Sequence, residues 1–170
     1  STVVLQGGFA RQIAEYLDVI PMRVLIIGSG RVGREVAARL EERGENVVVI
    51  ETDETAAERA RSEGLTVHIG DGADIDVLRT AGIENAKTII AATGDDKVNL
   101  FVGQQATTNF DVERVVCRAN DPDNMDAFDD LDVETISSTH ATAQAIDDSI
   151  ERPAMARWAD MLGEEGDIQE

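Results

Sequence analysis

The chain has 170 residues, with 34 acidic against 15 basic side chains and a net charge of −19. That length suits one domain, or one domain with an appendage, and is enough to bury a core without staples. A single cysteine, Cys117, excludes a disulfide framework and a multi-cysteine zinc site. The acidity, with no compensating basic run, argues against nucleic acid and against an anionic membrane surface as partners.

The elements alternate. Residues 1–21 precede the pattern as an extension or tag, with a short helix expected over Gln12 to Leu17. Arg23 to Ile27 is apolar, rich in β-branched residues and bounded by Gly28, which predicts a buried strand. Val32, Val36, Ala37 and Leu40 recur at helical spacing from Arg31 to Arg43, and Gly44 supplies a stop. The same logic predicts strands at Asn46 to Ile50, Thr66 to Ile69, Thr88 to Ala92, Arg114 to Arg118 and Thr135 to Ser137. Helices are expected at Thr55 to Ser62, Ile75 to Thr80, from Asp95 or Asp96 to Thr108, from Pro122 to Asp130, and from His140 to Ile150 behind a Thr139 cap. After Pro153 a further helix, Ala154 to Leu162, leads into an acidic tail. Strands separated by helices imply an α/β fold: a Rossmann-like doubly wound parallel sheet with helices on both faces. The expected division is 1–21 extension, 22–150 nucleotide-binding domain, 151–170 helix and tail. No apolar run approaches the ~18 residues of a membrane helix, and no basic segment precedes an apolar one at the N-terminus, so a soluble cytoplasmic chain is expected.

Only Lys87 and Lys97 are lysines; the other basic residues are arginines. An over-acidified, lysine-poor surface on a chain of ordinary apolar content fits a halophilic protein. At ~1 M salt the Debye length falls to ~3 Å and self-repulsion is screened, whereas dilute buffer leaves the surface repelling itself.

The sharpest motif is Gly28-Ser29-Gly30-Arg31-Val32-Gly33, a G-x-G-x-x-G that closes a predicted strand and opens a predicted helix. Gly28 permits the tight turn, Gly30 the approach of a pyrophosphate, and Gly33 the packing of helix on strand. Free N–H groups and the helix dipole favour an anion there. Glu51, 18 residues after Gly33, ends the second strand, where a carboxylate accepts from ribose hydroxyls and repels a 2′-phosphate. NAD(H) is therefore favoured over NADP(H), with an adenine mononucleotide as the alternative. Arg31 is the best phosphate partner, while Arg34 is either a second one or a solvated face residue. Arg118, Thr93 and Gly94 end later strands on the same edge and suit the far half of a dinucleotide; Asp71 and Gly72 suit the adenine border.

The stretches Arg23–Gly33, Val47–Asp53, Gly70-Asp71-Gly72-Ala73, Leu78 with Ala81-Gly82-Ile83, Ala91–Asn99 and Arg118-Ala119-Asn120-Asp121 together resemble the N-terminal lobe of the RCK domain (regulator of potassium conductance) of TrkA-type potassium uptake subunits. The resemblance covers about residues 22 to 150. It implies a nucleotide-sensing domain, peripheral to the inner face of the cell membrane, that assembles as a homo-oligomer, a dimer building a ring, and gates a membrane potassium transporter or channel. The ligand is NAD(H) or ATP/ADP. By position the implied ligand residues are Gly28, Ser29, Gly30, Arg31, Val32, Gly33, Glu51, Asp71, Gly72, Thr93 and Arg118. Many family members carry aspartate where this chain has Glu51; the acceptor is kept on a longer arm. The family's usual C-terminal lobe lies outside this sequence, which suggests a fragment.

The competing class is an NAD-dependent oxidoreductase. Tyr16, the single tyrosine, lies upstream of the sheet with Ile20 four residues on, so the Tyr-x-x-x-Lys acid of short-chain dehydrogenases is excluded. His68 reads as packed within a strand, His140 as a helix-start residue and Cys117 as a buried apolar one. No catalytic or metal-ligating set emerges, and a bound nucleotide without one points to a sensor. Ile146, Ile150, Met155, Trp158 and Met161 are candidate anchors for a contact between subunits.

Overall fold

The computed structural model describes residues 23–164. In chain order it contains β1 (Arg23–Ile27), α1 (Arg31–Glu42), β2 (Asn46–Glu51), α2 (Glu54–Ser62), β3 (Val67–Ile69), α3 (Ile75–Ala81), β4 (Ala86–Ala91), α4 (Asp96–Thr108), β5 (Arg114–Ala119), α5 (Met125–Asp129), β6 (Glu134–Ser137) and α6 (Ser138–Glu164). The strands form one parallel sheet in the order β3-β2-β1-β4-β5-β6. Ile27 pairs with Ile50 on one side and with Ala91 on the other, so the carboxyl ends of the central strands share one edge.

Strand alternation sorts β1 onto two cores. Val24 and Ile26 join Val47, Val49, Ala37, Ala57 and Ala60 under α1 and α2. Leu25 and Ile27 join Ile50, Leu78, Ile89, Val102, Cys117 and Phe128 on the opposite face. Alanines on α1 and α2 let those helices lie close to the strands. Aspartate side chains cap α2, α3 and α4: Asp53 accepts the Ala56 N–H, Asp74 the Asp76 N–H and Asp95 the Lys97 N–H.

The expected strands and the first helices fall within two residues of these bounds. Two segments differ. Pro122 opens a 3₁₀ turn, Pro122–Asn124, capped by Asp121, and the short α5 follows it. The expected stop before Pro153 is absent, since α6 runs through it as one 27-residue helix. An interior proline removes one N–H donor, and α6 stays continuous across it all the same. Nor does Thr139 cap α6. The His140 N–H donates to Ser137 Oγ (3.3 Å), so the last residue of β6 caps the helix that follows it directly. The extension over 1–21, its expected short helix, Tyr16 and the last residues of the acidic tail lie outside the described residues. No helix among the described residues is long and apolar enough to cross a membrane.

Candidate functional site

β1 and β4 are neighbours, yet the chain leaves them in opposite directions, β1 toward β2 and β3, β4 toward β5 and β6. Such a switch point opens a crevice at the carboxyl edge. A cavity of about 620 Å³ occupies it. Seven of the expected site residues line that cavity: Gly28, Gly30, Glu51, Asp71, Gly72, Thr93 and Arg118; Gly94 and Asp95 join them. Ser29, Arg31, Val32 and Gly33 do not. Ser29 is fully buried behind the loop, and Gly33 is buried beneath it. Arg31 and Val32 are exposed on α1, beside shallower depressions shared with Glu35.

The glycine loop is fixed by close approach. Gly28 has φ +100°, and a Cβ there would come within 3.1 Å of Thr93. A Cβ on Gly33 would overlap the Gly28 carbonyl oxygen. Glycine at both positions thus brings α1 against the end of β1. Gly30 is the N-cap of α1 and supplies no side-chain acceptor. Unlike the aspartate-capped α2, α3 and α4, this helix keeps its first N–H groups available for an anion.

Glu51 is tied to that loop. Its Oε2 accepts from the Ser29 N–H (2.7 Å) and the Ser29 hydroxyl (2.8 Å), and its Oε1 from the Asp53 N–H (2.9 Å). Burial pushes the carboxyl up, but the bonds from Asp53 and Ser29 outweigh it and hold the group below its ordinary value. Glu51 is an ionised, oriented carboxylate on the cavity wall. Arg34, left open between two readings, does neither. Its Nη1 donates to the Ser29 carbonyl (2.9 Å) and its Nε to Glu63 (3.1 Å), bracing the loop from behind.

The far half rests on Asn99, to which the sequence gave no role, and on Asp96, expected only as an alternative to Asp95 for the helix cap; Asp95 is the cap. Asn99 on α4 is fully buried. Its Oδ1 accepts the Thr93 N–H (3.0 Å) and hydroxyl (2.7 Å), and its Nδ2 donates to the Thr93 (3.0 Å) and Arg118 (2.8 Å) carbonyls. One amide thereby locks the ends of β4 and β5 together. Asp96 accepts from the N–H groups of Asn120 (2.7 Å) and Asp121 (3.0 Å) and from the amides of Asn120 and Asn124 (2.8 Å each). The available signal was an asparagine on the helix face that also carries Val102, Gly103 and Ala106, because a polar group on a buried face must find partners.

His68 is half-buried in β3, His140 is exposed on α6, and neither lines the cavity. Cys117 is buried, which pushes its thiol up to about 12.

With the geometry established, comparison with known proteins assigns the family. The sequence model of the TrkA-N domain matches residues 24–139. The chain belongs to the TrkA-N domain family. It is 35% identical over 132 residues to the Trk system potassium uptake protein TrkA of Mycobacterium tuberculosis H37Rv, covering 76% of this chain and 60% of that protein. With the TrkA proteins of Streptomyces coelicolor and Methanothermobacter thermautotrophicus included, the chain spans 60–65% of these relatives' length. The GsuK channel bound to NAD superposes with a TM-score of 0.68 at 27% identity, over 83% of this chain and 25% of that one. GsuK bound to ADP gives 0.66 at 28% identity, over 77% and 34%.

The Asp96 network yields a pH prediction. Burial pushes the carboxyl up, but the bonds from Asn124, Asn120 and Asp121 bring it from 3.8 down to about 2. A depressed folded-state value stabilises the fold above 3.8, and that contribution is lost as the pH falls toward 2. In Asp96→Asn an NH₂ group faces N–H donors. Thermal unfolding should show the gap between wild type and Asp96→Asn widest above pH 3.8 and closing toward pH 2; a gap constant with pH contradicts the assignment.

Proposed function

We propose that this domain is the nucleotide sensor of a potassium transport system. It binds NAD(H), with ATP/ADP as the alternative, in the crevice between β1 and β4. It passes the bound state to a membrane potassium transporter or channel by rearranging a homo-oligomer, a dimer building a ring, on the cytoplasmic face. The observation that carries this reading is the single cavity wall shared by Gly28, Gly30, Glu51, Asp71, Gly72, Thr93 and Arg118 at the switch point. Its supports are the potassium uptake proteins among the relatives and the GsuK structures bound to NAD and to ADP.

In this reading the loop from Gly28 to Gly33 cradles the pyrophosphate through Gly30 and the first N–H groups of α1, with Arg31 approaching from outside. Ser29 and Gly33 hold the loop in shape, and Val32 sits in the same first turn. Glu51 accepts from the adenosine ribose and, being ionised, repels a 2′-phosphate, which selects NAD(H) over NADP(H). Asp71 and Gly72 border the adenine, and Thr93 with Arg118 meet the second half of the ligand. Histidines away from the cavity and a thiol held neutral favour a sensor over an oxidoreductase.

Binding shifts an assembly only as far as the ligand's affinities for its two states differ. The element suited to read the shift is α6. Ile146, Ile150, Met155, Trp158 and Met161 are 56–68% exposed and fall within about half of the helix circumference at ~3.6 residues per turn. A second copy of the chain would cover this face.

Two measurements test the reading. Glu51→Ala should weaken NAD binding about tenfold by calorimetry, since charge-assisted bonds to the ribose are lost; unaltered affinity removes the ribose role. Trp158→Ala should lower the mass seen by light scattering, and an unchanged mass removes Trp158 from the subunit contact.

A further inference from the structure

Arg118 is held at both ends. Its carbonyl accepts from Asn99 Nδ2 (2.8 Å), and its Nε donates to the hydroxyl of Ser138 (2.7 Å), the first residue of α6. That hydroxyl is not the cap of α6, because Ser137 already takes that place. Arg118 lines the cavity, and its terminal Nη1 and Nη2 groups have no hydrogen-bond partner among the described residues. Other arginines are spent on carboxylates: Arg34 on Glu63, Arg61 on Glu58 and Arg114 on Glu134. In a chain of net charge −19, a half-buried arginine with no ion pair among the described residues has been kept from the many carboxylates available. A guanidinium fixed through Nε presents its two terminal nitrogens as a fork matched to phosphate oxygens.

We propose that Ser138 is a positioning residue for the ligand phosphate. It sets the plane of the Arg118 guanidinium and makes the first turn of α6 part of the wall that a bound nucleotide engages. The proposal rests on the reading of the crevice as a nucleotide site. It adds a mechanical link: the fork that grips the phosphate is bonded to the first residue of the helix that carries the exposed apolar face. A ligand that reorients Arg118 must carry the start of α6 with it or break the bond to Ser138.

A double-mutant cycle on the full chain tests this, with NAD and ADP as probes in calorimetry. Wild type is measured first. Binding of neither probe overturns the crevice reading and this proposal with it. With binding established, Ser138→Ala should weaken affinity about fivefold, the range of a hydrogen bond that orients a charged group. In an Arg118→Ala background the same change should do nothing, because Ser138 acts through Arg118. Ser138→Thr, which keeps the hydroxyl, should restore wild-type affinity. Equal losses from Ser138→Ala in both backgrounds mark a merely structural serine and overturn the proposal. A second readout needs neither ligand nor the alanine variant. The Arg118 Nε–H resonance should exchange slowly with solvent in wild type and in Ser138→Thr. Exchange as fast as that of the exposed Arg43 contradicts the bond on which the proposal stands.

Discussion

The approach of α1 to the end of β1 is the constraint on which the rest of the carboxyl edge depends. Gly33 lies so close to the Gly28 carbonyl that no side chain fits between them, and Gly28 in turn lies against Thr93 at the end of β4. Those contacts fix where the first N–H groups of α1 sit relative to both central strands. Ser29 carries the constraint sideways. Its N–H and hydroxyl hold Glu51 at the end of β2, while its carbonyl holds Arg34. Three strand ends and one helix N-terminus are thereby tied around one cavity before any ligand arrives, and preorganisation of this kind lowers the cost of ordering a site on binding.

Electrostatics gives the same edge its character. Glu51, Asp71 and Asp95 line the cavity with Arg118 as the guanidinium among them. In the proposed reading an anion is drawn less by net charge than by direction, through the uncapped N–H groups of α1 on one side and the Arg118 fork on the other. Glu51 can sit close by because its charge is already met by hydrogen bonds from Ser29 and Asp53. In the proposed reading the carboxylate serves selection, accepting hydroxyls and opposing an added phosphate.

The sequence displayed the sheet well because each central strand is a short β-branched run closed by glycine or aspartate, and the helices between them carry apolar residues at helical spacing. The near half of the crevice was legible for a related reason: its glycines fall in one short motif after β1, and Glu51 falls at the end of β2. The far half was less so. Asn99 works on the backbones of Thr93 and Arg118, and Asp96 on those of Asn120 and Asp121, partners that only the β4–β5 pairing brings together. The length of α6 was missed because Pro153 reads as a stop, although one lost N–H does not end a helix with strong helix formers on both sides. Its start was missed because β6 passes into α6 with no loop between them to carry a turn signal.

In the proposed reading the switch-point crevice holds a nucleotide and performs no chemistry on it. Calorimetric titration of the chain in potassium-rich salt with NAD, NADH, ATP and ADP, run beside an assay for hydride transfer, tests this most directly. Saturable binding of NAD(H) or of the adenine nucleotides with no turnover is the predicted result. Binding of none of the four, or reproducible oxidation or reduction of a cosubstrate, would contradict it.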